Sequence, residues 1–242
     1  MSDLARTRAE TLANILYAEH DLDGAVGRAR AQERSRSEDP WSHYVLGLAL
    51  GMRYIGSDDP ADIEGALEHL ERAIRLGGEN DPHAADFRQQ LAGALSIRWT
   101  RALMDDPDTD PSELAGALEL AREALEMTEE NSPHLPVRSM QVAEFLAQGA
   151  AGPEGLTEAL GLTERALAMA HPDDPRLSRF QHAHAQIMSR IASQEDAPPG
   201  MALAAENSAM RAGHLAPAYD PTQLKIFETI QTTRLLRIRS AG

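Results

Sequence analysis

The sequence predicts an all-helical protein built from stacked helix pairs. Three observations predict it: a small-residue pattern that recurs down the chain, amphipathic stretches between its copies, and capping residues followed by proline at the joints. The pattern reads Gly-Ala-Leu or a close variant, with a second alanine seven residues after the first. Its copies start from Ala25, Ala66, Ala117, Ala159 and Ala202, which stand 41, 51, 42 and 43 residues apart. Four copies carry the second alanine, at Ala73, Ala124, Ala166 and Ala209, and the first has Gln32 there. Seven residues are two helical turns, so both small residues lie on one face and let a neighbouring helix approach closely. Leu70, Ala121 and Thr163 fill the space between them, and Leu22, Ile63, Leu114 and Leu156 widen the stripe. The fifth copy has Pro199 at that last position and is the weakest.

Between the copies lie amphipathic stretches at 41–54, 83–103, 135–150 and 176–191. In the second, Phe87, Leu91, Ala94, Leu95, Arg98, Trp99 and Ala102 follow helical spacing. Two helices per unit follow. No run alternates apolar with polar residues, so no strand is expected. The joints Asp39-Pro40, Asp59-Pro60, Asp81-Pro82, Asp110-Pro111, Ser132-Pro133, Asp174-Pro175 and Asp220-Pro221 each set a capping oxygen before a proline. The oxygen accepts from a free first-turn amide, and proline loses nothing where its missing N–H would have had no partner. Acids at these points also meet the positive end of the helix dipole, so part of the acidity is structural.

Composition narrows the functions. Aromatics make up only 4% of the chain, so the core is expected to rest on Ala and Leu. Absence of cysteine excludes disulfides, a thiolate nucleophile and Cys-ligated zinc, and points to an intracellular, cytoplasmic protein. The first twenty residues carry charges throughout and do not read as a secretory signal, and no apolar run reaches membrane-spanning length. A net charge of −15 argues against nucleic acid as the ligand and favours a basic partner. The segment 220–242 is the exception: Lys225, Arg234, Arg237 and Arg239 outnumber Asp220 and Glu228.

A helix pair whose second member reads small, larger, small at i, i+4 and i+7 resembles the tetratricopeptide repeat. The residues that carry the resemblance are Ala66-Leu70-Ala73, Ala117-Ala121-Ala124 and Ala159-Thr163-Ala166, with Pro82, Pro133 and Pro172 downstream. In the first helices, Leu46-Gly47, Leu91-Ala92 and Val142-Ala143 match the family's large-then-small step. The units are longer than the family's usual length, and in that they are similar to the actinobacterial arrays that precede a caspase-like CHAT domain. The resemblance spans about 22–212 and implies a right-handed α-solenoid of about five hairpins, some eleven helices with a C-terminal capping helix. The whole of 1–242 is expected to be one domain: a first hairpin in 1–38, central repeats in 39–212, and a terminal helix and tail in 213–242.

No catalytic motif, cofactor or metal site is expected. His182 and His184 are two residues apart on a helix and diverge by about 200°, so they do not share one ion. His20, His83, His134, His171 and His214 fall at helix ends or loops, where capping or solvation accounts for them. Asp106, Asp108 and Asp110 form the start of a calcium-loop string, but Pro111 and Ala117 stand where that loop needs Gly and Glu.

Function is therefore expected in a groove lined by the first helices, holding a protein or peptide segment. The candidate wall residues are Tyr44, Gln89, Arg98, Glu144, Gln148, His182, Gln186 and Arg190. Arg53 and Arg98 each follow the small residue of their first helix by six, which suits a paired role or an ion pair within the repeat. The last helix carries Leu224, Ile226, Phe227, Ile230, Leu235, Leu236 and Ile238 around most of its circumference. It is expected to cap its own stack, with homodimerisation as the alternative. Two other classes stay open: an enzyme or small-molecule binder using the interior as a pocket, and a regulatory subunit of a separately encoded CHAT-type protease or transcription factor.

Overall fold

The computed structural model describes residues 21–150, 152–217, 220 and 222–240. The helix expected within 1–20, His20 and the reading of the N-terminus as no secretory signal lie outside them. Among the described residues there are ten helices and no strand, and consecutive helices pack on one another within each of two compact units, 1–127 and 128–242.

The first unit holds α1 (Leu22–Ser35), α2 (Pro40–Ser57), α3 (Pro60–Gly77), α4 (Ala84–Asp105) and α5 (Ser112–Glu126). The alanine rows do what their spacing requires. Ala25, Ala66, Ala73, Ala117 and Ala124 are fully buried, and Leu70 and Ala121 are nearly so. A Cβ on Gly47 of α2 would stand 2.7 Å from Leu70 Cγ and 3.0 Å from the Ala66 carbonyl, which is why that position holds glycine. The core is less purely aliphatic than composition suggests. Trp41, Tyr44 and Phe87 form a chain of rings with centroid separations of 5.0 and 5.3 Å between α2 and α4, joined by His83 at 4.6 Å from Trp41.

The second unit holds α6 (Leu135–Phe145), which runs into a π-helical turn (Leu146–Ala150), then α7 (Gly152–Met169), α8 (Leu177–Ala192), α9 (Met201–Leu215) and α10 (Thr222–Ser240). The wider turn contains Gly149, whose φ of 115° is open to glycine and strained for other residues. Ala159, Thr163 and Ala166 of α7 are fully buried. On α9 the pattern is stronger than its sequence copy suggests, since Ala202, Ala205, Ala209 and Ala212 are all buried against its neighbours.

Proline joints cap as expected, with one refinement. Asp39 and Asp59 are true N-caps, accepting from Trp41 and Ala61 with proline in the first turn. At Asp81, Ser132 and Asp174 the side chain again accepts from the amide two residues on, at His83, His134 and Arg176. There the helix proper begins one short turn later, because the i+3 amides of Ala84, Leu135 and Leu177 bond back to the carbonyls of these same residues.

The terminal helix docks on its own hairpin. Ile226 and Thr233 are fully buried, His182 meets Thr229 at 3.0 Å, and Arg234 binds Glu206 at 2.7 Å. Gln223 Nε2 donates to the carbonyls of Gly213, Ala216 and Pro217, satisfying the frayed end of α9. No helix among the described residues is long and apolar enough to cross a membrane.

Candidate functional site

A groove of about 720 Å³ opens in the second unit between α6 with its π-turn, α8 and α10. Its walls are set by helix spacing. Gln186 and Arg190 are one turn apart on α8, Glu144 and Gln148 are one turn apart across the junction of α6 and the π-turn, and Lys225, Glu228 and Thr232 step along α10. Ala147, Ala183 and Ile187 supply its apolar floor.

Its charges divide into two kinds. Glu144 is held by Arg179 of α8 at 2.9 Å. Arg190, Lys225 and Glu228 are exposed and have no ion-pair partner among the described residues. That is unusual for this chain, where most arginines reach a carboxylate. Thr229 closes the groove from below: its hydroxyl donates to the Lys225 carbonyl at 3.0 Å, so the His182 Nε2–H donates to Thr229 Oγ1. Burial holds the His182 imidazole below the usual histidine range, as it does His184.

Of the eight wall residues expected from sequence, Glu144, Gln148, Gln186 and Arg190 line this groove together, and His182 lies just beneath it. The three in the first unit are placed differently. Tyr44 is buried among Trp41 and Phe87, so it is a core residue and not part of a wall. Arg98 is tied to Glu113 and to Glu64, the latter at 2.9 Å. Gln89 is half-buried on α4.

Neither a family model nor a curated protein matches the chain.

Sequence reasoning missed the whole α10 wall, because only first helices were assigned to the groove. The signal was present: Lys225 is the single lysine, in a locally cationic stretch of an acidic chain. It also missed a histidine pair in the first unit. His43 Nε2 faces the Ser37 carbonyl at 2.8 Å, so it must carry the hydrogen. His43 Nδ1 is then the acceptor for His69 Nδ1–H at 3.0 Å. Burial, and then the neighbouring His43, hold His69 below the usual range.

His182 and His184 part company as their spacing requires. The first bonds to α10, while His184 Nδ1 lies 3.3 Å from Ser208 of α9. No cluster of three or more metal-binding side chains occurs among the described residues.

Proposed function

We propose that the chain is a tetratricopeptide-like, right-handed repeat module that holds a segment of a partner protein in the groove between α6, α8 and α10. The observation that carries this reading is the convergence of Gln186, Arg190, Lys225 and Glu228 on one open cleft, over an apolar floor of Ala183 and Ile187. Ion pairs elsewhere hold helices together, but Arg190, Lys225 and Glu228 have no ion-pair partner among the described residues. An extended or helical segment entering the cleft would displace water from the floor while polar groups on the rim fix its register. Because the free charges are of both signs, the favoured occupant alternates acidic and basic residues; a uniformly basic segment suits the net charge of −15 but not this rim. A cytoplasmic address belongs to the same proposal.

Selection from a displayed peptide library, followed by anisotropy titration of the selected peptides, tests it. Arg190→Glu and Lys225→Glu are each expected to weaken binding at least tenfold while leaving helix content unchanged. Selected peptides that bind both variants as well as the wild type would place the site elsewhere.

A second reading is favoured by size. A cleft of about 720 Å³ lies within the range of small-molecule sites, roughly 300–1,000 Å³. Native mass spectrometry of the protein from its own cells would then find a stoichiometric metabolite, lost on Arg190→Glu.

A further inference from the structure

The terminal helix has a second face that its docking leaves uncovered. Ile226, Thr229 and Thr233 turn inward to α8 and α9. On the opposite side Leu224, Phe227, Leu235 and Ile238 are 67, 56, 63 and 66% exposed, with Gln231 exposed between them. At 100° per residue these five positions fall within about 80° of arc, so they form one straight stripe. The groove-lining Lys225, Glu228 and Thr232 occupy a different flank of the helix.

The stripe is a palindrome. Leu224 and Ile238 each lie seven residues from Gln231, and Phe227 and Leu235 each lie four. A pattern symmetric about its midpoint is unchanged when the helix is reversed, which is the condition for pairing with an antiparallel copy of itself across a two-fold axis. In that arrangement Leu224 meets Ile238 of the second copy, Phe227 meets Leu235, and the two Gln231 amides face each other and can exchange hydrogen bonds. A single polar residue in an apolar seam fixes register and orientation.

Charge and area agree with this occupant. Arg234 and Arg237 would repel their counterparts beside the seam, but both turn back to Glu206 on α9, at 2.7 and 3.4 Å. The four apolar side chains offer on the order of 400–500 Å² per copy, so two copies cover roughly 800–1,000 Å² before the flanks are added. That is below the size of stable specific interfaces and in the range of weak, transient ones, which fits a reversible dimer. We propose that this face binds a second copy of the chain, as an antiparallel α10 pair with Gln231 on the two-fold axis.

The absence of cysteine makes the test clean. Gln231→Cys is the one stripe position that meets itself, so mild oxidation of this variant is expected to give a disulfide dimer within minutes. Leu224→Cys alone crosslinks slowly, and the double variant Leu224→Cys, Ile238→Cys crosslinks efficiently. Met104→Cys, 72% exposed in the first unit, gives the background rate of random collision. Light scattering on the unmodified chain is expected to show a mass rising with concentration from 26.3 kDa toward twice that value. Leu235→Glu raises the midpoint concentration at least tenfold with little change in melting temperature, since Leu235 is 63% exposed in its own chain. The proposal is overturned by a chain that stays monomeric at millimolar concentration, by Gln231→Cys crosslinking no faster than Met104→Cys, or by a dimer indifferent to Leu235→Glu. A different partner on the stripe gives the second of these results; a parallel pair, which also overturns the proposal, makes Leu224→Cys alone crosslink as fast as Gln231→Cys.

Discussion

Arg53 and Arg98 occupy equivalent places in successive helix pairs and do equivalent work. Arg53 on α2 binds Asp62 of α3 through two nitrogens, at 2.7 and 2.5 Å, and Asp23 of α1 at 2.8 Å. Arg98 on α4 binds Glu113 of α5 and Glu64 of α3. Each acid adjoins the apolar residue that opens a packing stripe, Leu22, Ile63 or Leu114, so the arrangement repeats with the helices. The Asp62 hydrogen bonds raise the Arg53 guanidinium above its ordinary range, and Arg53 in turn holds the buried Asp62 carboxyl low. Arg53→Ala leaves that carboxylate unpaired in the core and is expected to cost about 2–4 kcal/mol in chemical denaturation. Arg98→Ala, with more water around it, is expected to cost about 1 kcal/mol. The recurrence of these arginines was legible from spacing but their partners were not, because the acids sit on helices before and after and only the packing brings them together.

Histidines set the pH response at the same scale. His69, His182 and His184 are all depressed, foremost by burial, so the unfolded chain binds protons more readily than the folded one. Stability is therefore complete above the unfolded histidine value of about 6.5 and declines as pH falls below it. Melting temperatures measured from pH 7.5 to 5 are expected to drop, and His69→Gln should flatten the part of that drop that comes from the first unit.

At the level of helices, most of the alanine rows and the capping side chains were readable, since both depend on local spacing. Ala117 is fully buried on a helix that packs against α4, so Ala117→Leu is expected to destabilise the first unit by about 1–3 kcal/mol. Asp59→Ala removes the cap of α3 and is expected to cost about 1 kcal/mol, read from the same denaturation curves. Which face of a first helix is wall and which is core was less readable. Tyr44 has the amphipathic profile of a rim residue, yet α2 is enclosed by three neighbours along its first two turns and the ring is buried. The π-turn was hidden as well. Gly149 stands where the arginine of the earlier pairs would fall, and the ladder of ion pairs stops there. The extra residue per turn brings Ala147 and Gln148 to the groove, in keeping with the frequent place of such turns at functional sites.

For the molecule as a whole, part of the acidity behind the net charge of −15 has an account that needs no ligand. Many of its acids cap helices or pair with arginines between them, and what remains unpaired in the groove is a short set of named side chains. The second unit depends on its last helix, which covers His182 and closes one wall of the cleft. Truncation after Pro217 is expected to lower the melting temperature of that unit and to abolish binding in the cleft, while exchange protection in α2–α4 stays as it was. The direct measurement of the central claim is amide chemical-shift mapping of the full chain with a selected segment. Perturbations clustered at 144–148, 186–190 and 225–232 are the predicted result; perturbations confined to other helices contradict the account.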